Sequence, residues 1–220
     1  MNYKLILSLL SIGLLLGSCS NSGNGGSTPS TPDELEYTIN FNAFQFEGKT
    51  SEISTSSSEG KFEDAIETIF TDSTEEGLFK SSSVIPYVCL KKYDYPKTAF
   101  TALQVGSGST DGLITFSFNK KIVSVEITAQ AYYREWMKTY ELEEGEEPYP
   151  LYSIDLDTTI QIGNETWTLP EAYYDETKYE YHMPERETKK FTINSDSLTI
   201  SDDENLGRFF IHSLKLVFEK

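Results

Sequence analysis

From residue 33 onward, the apolar residues of this chain recur mostly at every second position. Tyr37, Ile39 and Phe41 alternate with polar neighbours, as do Ile114, Phe116 and Phe118. Val123, Val125, Ile127, Ala129, Ala131 and Tyr133 extend the same pattern over a longer run. A period of two marks a strand with one buried face. Further β-rich runs lie at 84–90, 99–105, 158–162, 166–169, 190–193, 198–200 and 209–218. Asn119-Lys120-Lys121 reads as a short hairpin link and Asn194-Ser195-Asp196-Ser197 as another turn, while Gly163-Asn164 suits the positive φ of a two-residue turn. The closing run is apolar on both parities, Phe209, Ile211 and Val217 against Phe210, Leu214, Leu216 and Phe218. A bulge near His212 or burial of both faces would account for that. Only Phe62, Ile66, Ile69 and Phe70 carry a helical spacing. The pattern predicts an all-β fold, an antiparallel β-sandwich with at most one short helix.

The N-terminal segment follows a different rule. Lys4 precedes an apolar run from Leu5 to Leu16, too short for a hydrocarbon core that takes about 20 residues to cross. No stop-transfer charges follow it, so it reads as a secretory signal. The run ends in Leu16-Gly17-Ser18-Cys19, an aliphatic residue, two small ones and a cysteine. This resembles the lipobox of bacterial lipoproteins, in which the cysteine thiol receives a diacylglyceryl group and cleavage falls before it. The resemblance implies a signal peptide over 1–18, a lipid on Cys19 and a membrane as the first partner. Two acyl chains, each contributing about 0.8 kcal/mol per buried CH₂, anchor stably where one is marginal. Ser20 to Pro32 holds no charge and no large apolar residue, so 19–32 reads as a lipidated cysteine with a flexible tether. Residues 33–220 are then one domain's worth of chain. Ser20 rather than Asp follows the cysteine, which implies an exported chain held at the outer membrane of a two-membrane cell, or facing outward from a single one.

Charge narrows the partners. Thirty-five acidic residues against 18 basic ones leave a net charge of −17. With no basic stripe to offset it, that surface repels phosphate backbones and argues against nucleic-acid binding. Of two cysteines, one is spent on lipid, and Cys89 between Val88 and Leu90 reads as a small buried hydrophobe.

A second resemblance covers roughly 99–220. Leu103-Gln104-Val105-Gly106-Ser107-Gly108-Ser109, then Gly112 to Phe118 and Ile122 to Ala129, are followed near the end by Arg208-Phe209-Phe210-Ile211-His212-Ser213-Leu214-Lys215-Leu216. Together they look like jelly-roll sandwich modules of secreted bacterial proteins, similar in shape to carbohydrate-binding modules. The resemblance implies a jelly-roll-like fold and says little of function. Two acidic, aromatic-rich segments, Arg134 to Tyr152 and Pro170 to Arg186, depart from the pattern.

Catalytic machinery is scarce. No Gly-x-Ser-x-Gly elbow, phosphate loop or His-Glu-x-x-His motif is present, and two histidines cannot assemble a histidine-rich metal site. His212 reads as a core or edge residue and His182 as solvated. Asp155 and Asp157 share a strand face, as a glycosidase pair would, although chance supplies such a pair in so acidic a chain. Asp202, Asp203 and Glu204 cluster oxygens that calcium could use, or form a solvated acidic turn. No cofactor is implied. Aromatic residues offer more: Tyr133, Trp136, Tyr140, Trp167, Tyr173 and Tyr174 lie in or beside the two departing segments. Such rings stack on sugars and on protein surfaces alike, or pack long loops onto the fold. The chain thus reads as a binding or adhesion module for a glycan or surface protein rather than an enzyme. A small carboxylate-pair hydrolase and a purely structural envelope component are the alternatives.

The anchor has a direct test. Cys19→Ser should move the protein from the membrane fraction to the soluble one, and retention in the membrane would refute lipidation.

Overall fold

A computed structural model describes residues 34–46, 50–55, 62–94, 99–138, 149–155, 158–178, 180–202 and 207–220, with side chains except at 94, 134–138, 149–153, 180 and 181. The expected signal peptide, Cys19 and the tether lie outside these residues, as do Tyr140, Asp157, Asp203, Glu204 and the side chain of Trp136.

In chain order the strands are β1 (Glu34–Asn40), β2 (Glu52–Ser54), β3 (Phe79–Pro86), β4 (Val88–Asp94), β5 (Ala99–Val105), β6 (Gly112–Ala131) and β7 (Tyr133–Lys138). They continue with β8 (Tyr149–Ile154), β9 (Thr159–Ile162), β10 (Glu165–Thr168), β11 (Tyr173–Asp175), β12 (Glu180–His182), β13 (Glu187–Asp202) and β14 (Phe209–Glu219). One helix, α1 (Phe62–Ser73), falls between β2 and β3. Ten strands form one antiparallel sheet along the path β10-β9-β13-β6-β14-β5-β4-β2, with β1 added to β14 and β3 to β6. The fold is therefore mainly β with one short helix, as the alternation predicts. Hydrogen bonding joins the ten strands into a single sheet. The two departing segments are not plain loops: each contains a hairpin, β7–β8 in the first and β11–β12 in the second.

Two expected turns are corrected. Asn119-Lys120-Lys121 lies inside β6, a continuous strand of 20 residues, and Asn194 to Ser197 lies inside the 16-residue β13. Both mark bulges that face one another. Ser195 pairs with Ile122 and Ser197 with Ser117, so four residues of β6 oppose Asp196 alone. Asn194 adopts a left-handed φ of +53°, which asparagine tolerates better than branched residues do. Here β6 changes neighbours, pairing with β3 over its first half and β14 over its second. The expected run 84–90 also divides, at Tyr87, into β3 and β4. Gly163 has φ +59° between paired Ile162 and Glu165, so that turn is a hairpin as expected.

The puzzle of β14 has both expected answers. Its register shifts between Ile211 and Ser213, a bulge at His212 that moves core residues from odd to even parity. Phe209, Ile211, Leu214, Leu216 and Phe218 consequently all enter the main core. Phe210 faces the other way, into a second cluster with Tyr93, Phe100, Ala102 and Tyr132. Helix α1 closes the main core. Phe62, Ile66, Ile69 and Phe70 are all buried, and the ring of Phe70 stacks on Phe79 at 4.6 Å and meets Phe116 at 4.9 Å. Glu63 and Asp64 occupy its first turn, where carboxylates favour the positive end of the helix dipole.

One close approach fixes the sheet's far end. Gly112 N–H donates to both carboxylate oxygens of Asp202 at 3.1 Å, and a Cβ on Gly112 would overlap Gly106 N and lie 2.6 Å from Tyr87 O. Gly112→Ala should therefore cost about 3 kcal/mol or more by overpacking. Gly163→Ala, with no atom within 4 Å of the new Cβ, should cost about 1–2 kcal/mol for its left-handed backbone alone. Urea unfolding of the two variants checks that order.

Candidate functional site

Burial sorts the expected aromatic surface. Tyr133 is 1% exposed and Trp167 6%, so both belong to the packed interior rather than to a ligand-facing surface. Register explains Trp167: across the two-residue turn it pairs with Ile160 and so shares the core face of β9. Its ring meets Phe191 at 5.9 Å, and its Nε1–H donates to Glu187 Oε2 at 3.3 Å. Trp136 lies on β7, where its backbone pairs with Leu151. Tyr173 and Tyr174, by contrast, are 58% and 44% exposed.

Those two tyrosines begin β11. Tyr173 pairs with His182 and Tyr174 with Tyr181, and the Tyr173 and His182 rings stack at 4.6 Å with 9° between their planes. Asp175 ties the turn. Its Oδ1 accepts from Thr177 N at 2.9 Å, Thr177 Oγ1 at 2.6 Å and Lys178 N at 3.3 Å. Lys178 Nζ lies 3.0 Å from Oδ2, and His182 Nε2 lies 3.7 Å from it. The Thr177 and Lys178 hydrogen bonds hold this carboxyl well below the usual range. Buried Leu169 and Ala172 fix the hairpin's entry, while Met183 packs on the second cluster at its exit. The result is a braced tyrosine–histidine platform open to solvent.

Of the carboxylates singled out from the sequence, the two described ones, Asp155 and Asp202, are engaged elsewhere. Asp155 binds Arg208 through Nε at 2.8 Å and a terminal nitrogen at 2.6 Å, and also accepts from Arg208 N at 2.8 Å. The guanidinium lies 3.6 Å from the centre of the Tyr132 ring, a desolvated cation–π contact. Its ion pair with Asp155 holds Arg208 above the ordinary guanidinium value, against the opposing effect of burial. Asp202, the described member of the calcium candidate, is 6% exposed and caps Gly112. No group of three metal-ligating side chains gathers among the described residues. Cys89 is fully buried, and desolvation pushes its thiol up to about 12.

Sequence reasoning missed a polar network around Phe210. Tyr93 Oη–H donates to Gln104 Oε1, and Gln104 Nε2 donates to Gly106 O at 2.7 Å. Across β14, Gln130 Nε2 donates to Pro184 O at 2.6 Å, which orients its oxygen to accept from His212 Nε2 at 3.0 Å. His212 Nδ1 is buried with no hydrogen-bond partner among the described residues. Both glutamines sat in strands that read as apolar, and only the register brings them beside Phe210.

No protein-family model matches this chain, and no curated protein matches it.

His212 gives the fold a pH dependence. Burial, with Arg186 adding repulsion, pushes its imidazole from 6.5 down to about 3. The unfolded chain takes up this proton near 6.5 and the folded chain does not, so the stability contributed by neutral His212 is full above that pH and is lost as pH falls toward 3. Urea midpoints measured from pH 7.5 to 5 should fall more steeply for the wild type than for His212→Gln. The difference should approach about 1.4 kcal/mol per pH unit below 6, and parallel curves would refute the assignment.

Proposed function

We propose that this chain is a surface-tethered binding module, exported and lipid-anchored through Cys19, whose β11–β12 hairpin takes an uncharged glycan on the Tyr173–His182 platform. The exposure of Tyr173 in a fixed stacked pose carries the reading. A flat ring whose partner already holds it in place offers a sugar its face at little ordering cost. Net charge supports the choice of ligand, since a molecule at −17 disfavours anionic polymers. Lys178, Thr177 and Asp175 place donors and acceptors in the same turn, the kind of polar rim that orients hydroxyls.

Titration of an array of neutral oligosaccharides onto residues 33–220 tests it. Tyr173→Ala should weaken binding about tenfold, the loss of roughly 1.4 kcal/mol, while Tyr173→Phe retains most of it and unfolding midpoints stay within error. Consecutive strand residues point to opposite faces, so Tyr174→Ala reports whether the other face also contacts the ligand. Failure of every neutral glycan to bind, or wild-type affinity in Tyr173→Ala, would overturn the proposal.

A further inference from the structure

The outward face formed by β3, the first half of β6, the end of β13, β9 and β10 differs from the rest of the surface. In register, Ser81, Ser117 and Ser197 stand abreast, and Ser83, Thr115 and Thr199 form the next row. The third row runs Ile85, Leu113, Ser201, Gln161 and Thr166 across five strands. Not one of these side chains ionises, in a chain whose residues are 24% charged. The other half of the same sheet has the ordinary pattern, with Lys190, Glu126 and Lys215 in one row and Glu36 bridging to Lys215 at 3.0 Å.

A groove of about 290 Å³ opens on the uncharged face, lined by Leu113, Gln161, Gly163, Asn164, Thr199 and Ser201. Its size falls just below that of small-ligand sites, about 300–1,000 Å³, which leaves room for one end of a short saccharide. Two amides and two hydroxyls supply both donors and acceptors, and half-buried Leu113 supplies an apolar contact. The groups are partly fixed: Gln161 Nε2 donates to Gly163 O at 3.2 Å, and Thr115 and Thr199 share a hydroxyl hydrogen bond at 2.9 Å. Neutral groups of both polarities around an aliphatic patch match the surface of an uncharged sugar. They do not match a carboxylate or phosphate, since none of the lining residues is a cation.

We propose that this groove is a second sugar subsite, seating one end of a neutral saccharide on Leu113 with Gln161, Asn164, Thr199 and Ser201 hydrogen-bonding its hydroxyls; the inference rests on reading the chain as a glycan-binding module. The test uses the full chain in detergent micelles with labelled leucine and threonine methyls and tyrosine and histidine rings, titrated with cellobiose, maltose or diacetylchitobiose. At least one should shift the Leu113 and Thr199 signals saturably. Gln161→Ala, at an exposed position, should weaken that response fivefold or more, and Thr199→Glu should abolish it. Shifts at Tyr173 and His182 with none at Leu113 or Thr199 overturn the groove and leave the platform standing. Shifts in the groove without any at the platform do the reverse. Silence at both sites overturns both. Groove signals that move with protein concentration alone assign the face to a second copy of the chain and overturn the subsite.

Discussion

Neighbouring strands of a sheet rotate by roughly 20–25° relative to one another, so a 20-residue strand that pairs in turn with β3, β13 and β14 cannot run straight. Bulges release that twist, and each one also changes which side of the sheet the following residues face. The apolar pattern follows these changes. In β6 the core residues pass from even positions at Phe116 and Phe118 to odd ones at Val125 and Ile127. In β13 they pass from Phe191 to Leu198 and Ile200 across left-handed Asn194. In β14 they pass from Ile211 to Leu214 across His212. Without those shifts half of each long strand would turn its apolar side to water.

The same geometry buries part of the sheet on both faces, and that decides where polar chemistry can sit. Around Phe210 the second cluster must accommodate Gln104, Gln130 and His212, all under 10% exposed. It does so by pairing both glutamine side chains and His212 Nε2 internally, leaving His212 Nδ1 as the exception. Burying polar groups is tolerable only when they are paired, and here the pairing leaves Asp155, Asp202 and Cys89 structural as well. Arg208 is held by Asp155 and Tyr132 in the same way. Exposed aromatic rings are left to the hairpin that departs at Ala172 and returns at Met183, where Tyr173 and Tyr174 face solvent.

Much of this was legible in the chain and some was not, for physical reasons. Alternation revealed the strands, and the spacing of Phe62, Ile66, Ile69 and Phe70 revealed the helix, because burial on one face leaves a period in the sequence. Asn-Lys-Lys and Asn-Ser-Asp-Ser misled because a bulge and a turn call for the same polar, left-handed-tolerant residues. Only the partner strand tells them apart. The interior place of Trp167 was recoverable, since pairing about Gly163-Asn164 sets it opposite Ile160. The exposure of Tyr173 and Tyr174 was not, because buried Tyr132 and Tyr133 also lie beside a departing segment. Likewise Asp202 reads as one more acid in a run of acids, although its carboxylate holds a backbone amide 90 residues away.

The solvated face of an antiparallel sheet carries polar side chains, which can be charged or neutral. This chain has 35 acidic residues available and places none in the three rows beside the groove, whereas it charges the other half of the same strands. Serine and threonine hydroxyls keep such a face wet without committing it to a sign, and Ile85, 64% exposed, sits at its margin. On the proposed reading, such a surface selects its ligand by hydroxyl geometry rather than by charge. The platform on β11–β12 adds what the rows lack, a flat ring for stacking. On the proposed reading the two surfaces are complementary halves of neutral-sugar recognition, one on the hairpin that leaves the sheet and one on the sheet beside its bulges.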